Sequence, residues 1–144
     1  MLKKENKTIM QKDFKKWHNK KSQIHNERNT DFLYVKEKDI WWCSLGANVG
    51  FEQDGKGSWY ERPVLIFKKF SRHLIWAIPL STKIKNNPYY IPCPSSDGMS
   101  RMAIISQMRM IDTKRFNEKM GVISEKTFSE IKKAVVNIIN PPLS

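Results

Sequence analysis

DIWWCSLGANVGFEQDGKGSWYERPVLIFKKFSRHLIWAIPL, residues 39–80, holds the pattern that decides the fold. Its first seven residues, 39–45, are dense in aromatic and aliphatic side chains and read as a strand. A stretch containing several glycines, 46–61, follows as a long loop. RPVLIFKKF (62–70) and HLIWAIPL (73–80) are apolar runs too short for helices, separated only by Ser71 and Arg72. They read as two buried strands joined by a tight turn.

Working outward toward the C-terminus, NNPYYIPCPSSDG mixes a short strand with turn residues, and MAIISQMRMID (102–112) reads as one long strand. Ser124 is a good N-cap for a helix to about Asn140, with Phe128, Ile131, Val135 and Ile138 on one face and Pro141-Pro142 as its stop. Toward the N-terminus, no Gly or Pro interrupts the chain from about Lys7 to Asn29, and Met10, Phe14, Trp17 and Ile24 fall on one stripe of an amphipathic helix. The other faces of that helix are basic, which suits either a solvated surface or direct contact with a polyanion. Short strands at close spacing with a single late helix predict a small β-barrel, a mainly β chain with helices of the α+β class. The expected division is a basic helical extension over residues 1–30 and one barrel domain over 31–144.

The 144 residues carry a formal charge of +12 and an isoelectric point near 9.8. Residues 1–30 hold nine Lys and Arg against three Asp and Glu, a net +6, so half of the excess lies in the first fifth of the chain. Clustered cations gain affinity for nucleic acid by releasing counterions from phosphates, which makes a polyanionic partner the expectation. Cys43 and Cys93 sit fifty residues apart in strand-like contexts, fitting two reduced core thiols better than a disulfide framework. The three His and two Cys have no zinc-ligand spacing. LIWAIPL (74–80), the longest apolar run, is too short to span a bilayer, and no signal-peptide pattern opens the chain. A soluble, cytoplasmic protein without a cofactor is expected.

Gly50-Phe-Glu-Gln-Asp-Gly55-Lys56 matches the spacing of a phosphate-binding loop up to its last position. Gly57 then stands where Ser or Thr must hold the metal, and a strand with Pro63 follows instead of a helix, so nucleotide hydrolysis is disfavoured. Glu52 and Asp54 invite an acid/base reading, but loop carboxylates are more often solvated or paired with a nearby Lys. More telling is the position of Arg62 at the head of one strand and Ser81-Thr82 just past the foot of the next. If the two strands form a hairpin through Ser71-Arg72, their outer ends lie side by side, and a guanidinium next to hydroxyls beneath a Gly-rich loop suits a phosphodiester. The plain alternative is an edge Arg paired with a carboxylate and a Ser in an ordinary turn.

IWWCSLGANVGFEQDGKGSWYERPVLIFKKF, followed by IPLSTK and then ISQMRMID, KRF and KMGVI, resembles the MazF/PemK toxins of type II toxin-antitoxin systems over roughly residues 38–140. The resemblance implies an SH3-like barrel that dimerises, cleaves single-stranded RNA without a metal, and is silenced by a cognate antitoxin. It assigns the active-site pair to Arg62 and Ser81, where Ser replaces the commoner Thr and Thr82 stands ready to share the role. Where some relatives use an acidic residue before the Gln of the Gln-x-Arg strand, this chain has Ser106, which leaves the general base unassigned. His73 lies at the hairpin turn, away from Arg62, and is not enlisted.

Resemblance and polar character together make Asn48, Glu52, Gln53, Lys56, Lys83, Gln107 and Arg109 candidates for holding RNA. Asn48, Glu52, Gln53 and Arg109 could read bases or hold the loop. The loop also carries extra residues around Gly57, Ser58, Trp59 and Tyr60 compared with short family members. Trp59 suits either stacking on a base or packing as part of a lid. The rival function is a nucleic-acid-binding module of the same fold that leaves RNA intact.

Overall fold

The computed structural model describes residues 11–143. Helix α1, Phe14–Glu27, is capped by Asp13, whose side chain accepts from Lys16 N at 3.0 Å. The earlier turn expected from Lys7, with Met10, lies outside the described residues. Trp17 and Ile24, two helical turns apart, are buried as the stripe predicts. Phe14 is half exposed: it occupies the first helical position, ahead of Trp17, which meets Gly46 and Tyr60 of the 46–60 loop.

Seven antiparallel strands follow: β1 (Asp39–Ser44), β2 (Glu61–Lys69), β3 (Leu74–Ser81), β4 (Tyr90–Pro92), β5 (Met102–Ile104), β6 (Arg109–Asp112) and β7 (Phe116–Val122). Helix α2 (Glu125–Ile139) closes the chain, with the Ser124 side chain accepting from Thr127 N at 3.1 Å. Hydrogen-bonded order runs β4-β5-β3-β2-β1-β7, with β6 pairing the first half of β3. β4 and β7 are not paired, so the expected barrel is realised as an open, barrel-like sheet. Register shifts in the β1–β7 and β2–β3 pairs mark bulges, which increase local twist.

The segment read as one long strand over 102–112 is two strands separated by a 3-10 turn, Ile105–Gln107. Met102 to Ile105 are four consecutive buried residues, and a straight strand with one wet face cannot bury neighbours of opposite orientation. The turn drives Ile105 into the core beneath α2 and releases Ser106 and Gln107 toward the 46–60 loop. β3 consequently changes partner along its length, from β6 at Leu74–Ala77 to β5 at Leu80–Ser81.

Alternation along the strands feeds two cores. Ile40, Leu65, Ile78 and Leu80 pack with Phe128, Ile131 and Val135 of α2, while Trp41, Cys43, Val64, Ile66 and Ala77 pack with Ile75, Ile111 and Phe116. Ile138, on the same expected helical face, is 45% exposed near the helix end. Cys43 and Cys93 are buried free thiols, both pushed up to about 12 by burial. Among the described residues, no helix is long and apolar enough to cross a membrane.

Candidate active site

The β2–β3 ladder places Val64 opposite Pro79 and Leu65 opposite Ile78. Arg62, at the head of β2, therefore reaches the foot of β3, and its Nη1 donates to the Leu80 carbonyl at 3.1 Å. Its Nε donates to the Asp54 carbonyl in the loop at 2.6 Å. Arg62 is partly buried; desolvation pulls its pKa below the ordinary value, opposed by Asp54 and Tyr90. A guanidinium has about five N–H donors, and two of them are used in these bonds. Ser81 Oγ accepts from Lys83 N at 3.1 Å, which fixes the turn and leaves the hydroxyl proton to donate. Thr82 and Lys83 are exposed beside it.

The loop above Arg62 is held by a network of its own. Asn48 N donates to Asp54 Oδ1 at 2.6 Å, and Asn48 Nδ2 donates to the carbonyls of Leu45 and Gln53 at 3.3 and 2.8 Å. The Asn48 side-chain amide thus bonds within the loop. Glu52 does the same, with Oε1 accepting from Val49 N at 2.8 Å. Gln107 clamps the loop from the 3-10 turn: its Oε1 accepts from Gln53 N at 3.2 Å and its Nε2 donates to the Phe51 carbonyl at 3.1 Å. Gly50, Gly55 and Lys56, the elements of the phosphate-loop look-alike, belong to this loop, where Lys56 forms a single β-bridge with Glu61 and no helix follows.

A cleft of about 380 Å³ opens between loop and 3-10 turn, lined by Asn48, Glu52, Gln53, Pro79, Gln107 and Arg109 among others. Five of the expected RNA-holding residues thus share one concavity, and Pro79 links it to the strand end that carries Ser81. Trp59 lies elsewhere. It lines a second cleft with Arg28, Glu61 and Asn117, under Lys20 Nζ at 3.9 Å and the Arg28 guanidinium at 5.0 Å. Trp59 is 40% exposed and lies apart from the residues around Arg62. Lys56 is exposed on the loop and makes no side-chain hydrogen bond or ion pair among the described residues.

Lys12 escaped the sequence reading. Its Nζ bonds the carbonyls of Asn48 and Gly50, the latter at 3.1 Å, and pairs with Asp54 Oδ2 at 2.9 Å. Thirty-six and more residues separate these partners, and no local pattern announces such a contact. Among the described residues, no three His, Cys, Asp or Glu side chains gather as a metal site.

None of the curated proteins compared matches the chain in sequence. Solved structures match its fold. MazF from Deinococcus radiodurans, in its Form-I crystal, is 20% identical with a TM-score of 0.61, covering 74% of this chain and 97% of that one. An endoribonuclease in complex with its cognate antitoxin, from a mycobacterial species, is 16% identical with a TM-score of 0.58, covering 77% and 100%. The Deinococcus radiodurans MazE-MazF complex in Form-II is 17% identical with a TM-score of 0.55, covering 76% and 99%. A family model described as PemK-like, MazF-like toxin of type II toxin-antitoxin system matches residues 36–139. With most of its length under that model and its sheet on the same plan, the chain belongs to the PemK/MazF toxin family of type II toxin-antitoxin systems.

Proposed function

We propose that the protein is an endoribonuclease that cuts single-stranded RNA without a metal, acting as the toxin of its pair. The observation that carries this reading is the Arg62 guanidinium, held between the Asp54 carbonyl of the loop and the carbonyl of Leu80, the residue before Ser81. RNA supplies its own nucleophile. The 2′-oxygen forms a bond to the adjacent phosphorus as the bond from phosphorus to the 5′-oxygen breaks, leaving a cyclic phosphate and a 5′-hydroxyl. The proton lost from the 2′-hydroxyl goes to a base, and the departing 5′-oxygen gains one. The protein's task is to orient the backbone and stabilise charge on the phosphorane. Arg62 faces that charge, and Ser81 or Thr82 donates to a non-bridging oxygen. Gln53, Gln107 and Arg109 line the path of the flanking nucleotides, with Lys83 at its edge; Asn48 and Glu52 keep the loop in shape. The base that takes the first proton has no candidate among these side chains.

A homodimer in the cytoplasm, inhibited by a cognate antitoxin with an acidic segment laid across the cleft, completes the reading. The relatives described as antitoxin complexes support that partner, and the +12 charge supports both RNA and an acidic inhibitor. The test incubates purified protein with single-stranded RNA in excess EDTA. Cuts ending in 5′-hydroxyl groups are expected. Activity that needs the metal back removes the metal-free mechanism, and tight binding of RNA that stays intact favours the non-catalytic module instead.

A further inference from the structure

The segment from Lys12 to Arg28 lies ahead of the span that matches the family model, yet it grips both ends of the loop over Arg62. At the loop's start, Gly46 adopts φ +94° with Trp17 so close that a Cβ there would lie 2.3 Å from Trp17 Cε2. At its end, Tyr60 packs on Trp17 with ring centroids 5.3 Å apart, and its hydroxyl donates to the Asp13 carbonyl at 3.4 Å. Between them, the Lys12 ammonium meets two loop carbonyls and the Asp54 carboxylate. That carboxylate accepts from Asn48 N, and the carbonyl of the same residue receives Arg62 Nε. From Lys12 to the guanidinium there is one intervening residue, Asp54.

We propose that Lys12 is a positioning residue for the RNA-cleaving site, acting through Asp54 to hold the loop in the shape that aims Arg62. An isolated Asp54 carboxylate would turn toward water and leave its neighbours unsupported. A cation on three loop oxygens makes that geometry the stable one, as a charge-assisted contact does better than a neutral bond. Lys12 is 20% exposed at its side chain and lines no part of the RNA cleft, so its effect passes through loop order and not through phosphate contact.

The kinetic part of this inference rests on the ribonuclease reading; the loop-order part does not, and the experiment measures the two separately. In the full-length protein, Lys12→Met is compared with Lys12→Arg and with Lys15→Met, a change at an exposed lysine in the first turn of α1. Amide hydrogen exchange across residues 46–60 is followed alongside kcat and KM on a single-stranded RNA. Lys12→Met is expected to speed exchange in the loop about tenfold and lower kcat about tenfold, with KM within about twofold. Lys12→Arg restores most of both, and Lys15→Met resembles wild type. Unchanged loop exchange in Lys12→Met overturns the proposal. So does a rise in KM shared by Lys12→Met and Lys15→Met, which instead makes the helix an RNA-contacting face. If the wild type cuts no RNA, the ribonuclease reading falls and the exchange data still decide whether Lys12 orders the loop.

Discussion

Arg62 Nη1 donates to the Leu80 carbonyl at 3.1 Å, tying the strand that carries the guanidinium to the residue just before Ser81. The bond makes the guanidinium's direction a property of the hairpin. On the proposed ribonuclease reading, a phosphate entering there would meet a cation already aimed, leaving little orientation to be gained during the reaction.

Arg62→Ala is expected to lower kcat on single-stranded RNA by roughly 10²-fold or more, with a thermal midpoint within a few degrees of wild type. Arg62→Lys should recover little, because an ammonium cannot bond two backbone carbonyls and keep a fork of donors for phosphate. Initial-rate assays at saturating RNA give the comparison. Cleavage by Arg62→Ala at the normal rate removes this residue from the site.

Ser81→Ala and Thr82→Ala separate the two hydroxyls. Ser81 Oγ is anchored by Lys83 N, so its loss should cost about 10- to 10²-fold in kcat, and that of Thr82 no more than a few-fold. The reverse ranking would give the role to Thr82. Ser81→Thr, which keeps the hydroxyl, should retain most activity.

Gln107→Ala removes both clamps that the 3-10 turn places on Phe51 and Gln53. Two hydrogen bonds worth about 1 kcal/mol each keep that part of the loop down. Faster proteolytic nicking near residues 49–53 and a several-fold weaker affinity for RNA are the expected results. Equal nicking rates for variant and wild type would show that the clamps carry no weight.

Gly46→Ala combines a left-handed backbone angle with an overlap against the Trp17 indole. Strain and forced repacking together should cost about 2–4 kcal/mol, read as a thermal midpoint several degrees lower. Gly57→Ala, also at positive φ but with open space around it, should lose only the smaller backbone part. Similar losses at both glycines would deny the Trp17 contact its part.

The Arg101 guanidinium bonds both oxygens of Asp97, at 3.1 and 2.9 Å, and holds that carboxyl well below the usual carboxylate range. A depressed folded-state pKa stabilises the protein above the unfolded value, near 3.9, and the contribution is lost as pH falls below it toward the folded value. Asp97→Asn should therefore lower the thermal midpoint at pH 7, and the gap from wild type should narrow progressively below about pH 4. A gap that does not change with pH points to packing in place of charge.

The hairpin and its strand ends were legible because two apolar runs separated by two residues leave few arrangements open, and antiparallel pairing then brings Arg62 to the carbonyl of Leu80, the residue before Ser81. The capped helix at Ser124 was equally plain. The break at Ile105–Gln107 was not, since a run of apolar residues looks the same whether it stays straight or turns inward. β7 had no strand expectation of its own: FNEKMGV mixes three polar and three apolar side chains with a Gly and shows no clean alternation, and its place comes from pairing with β1. Within the site, residue types were readable and their partners were not. Asn48, Glu52 and Gln107 carry groups that suit RNA or backbone equally, and the carbonyls and amides they bond here are brought near only by folding. The cations over Trp59 were equally out of reach of a local pattern, since Lys20 and Arg28 lie more than thirty residues upstream.

Trp17 is 7% exposed, and most of what covers it belongs to the barrel side of the chain. Trimming the protein to the span shared with its family, 36–139, would thus uncover the apolar wall formed by Gly46 and Tyr60. It would also strand the carbonyls of Lys114 and Phe116 that Arg28 now satisfies. A family-sized fragment is a different surface chemically, prone to self-association, and its behaviour would be a poor guide to the whole molecule.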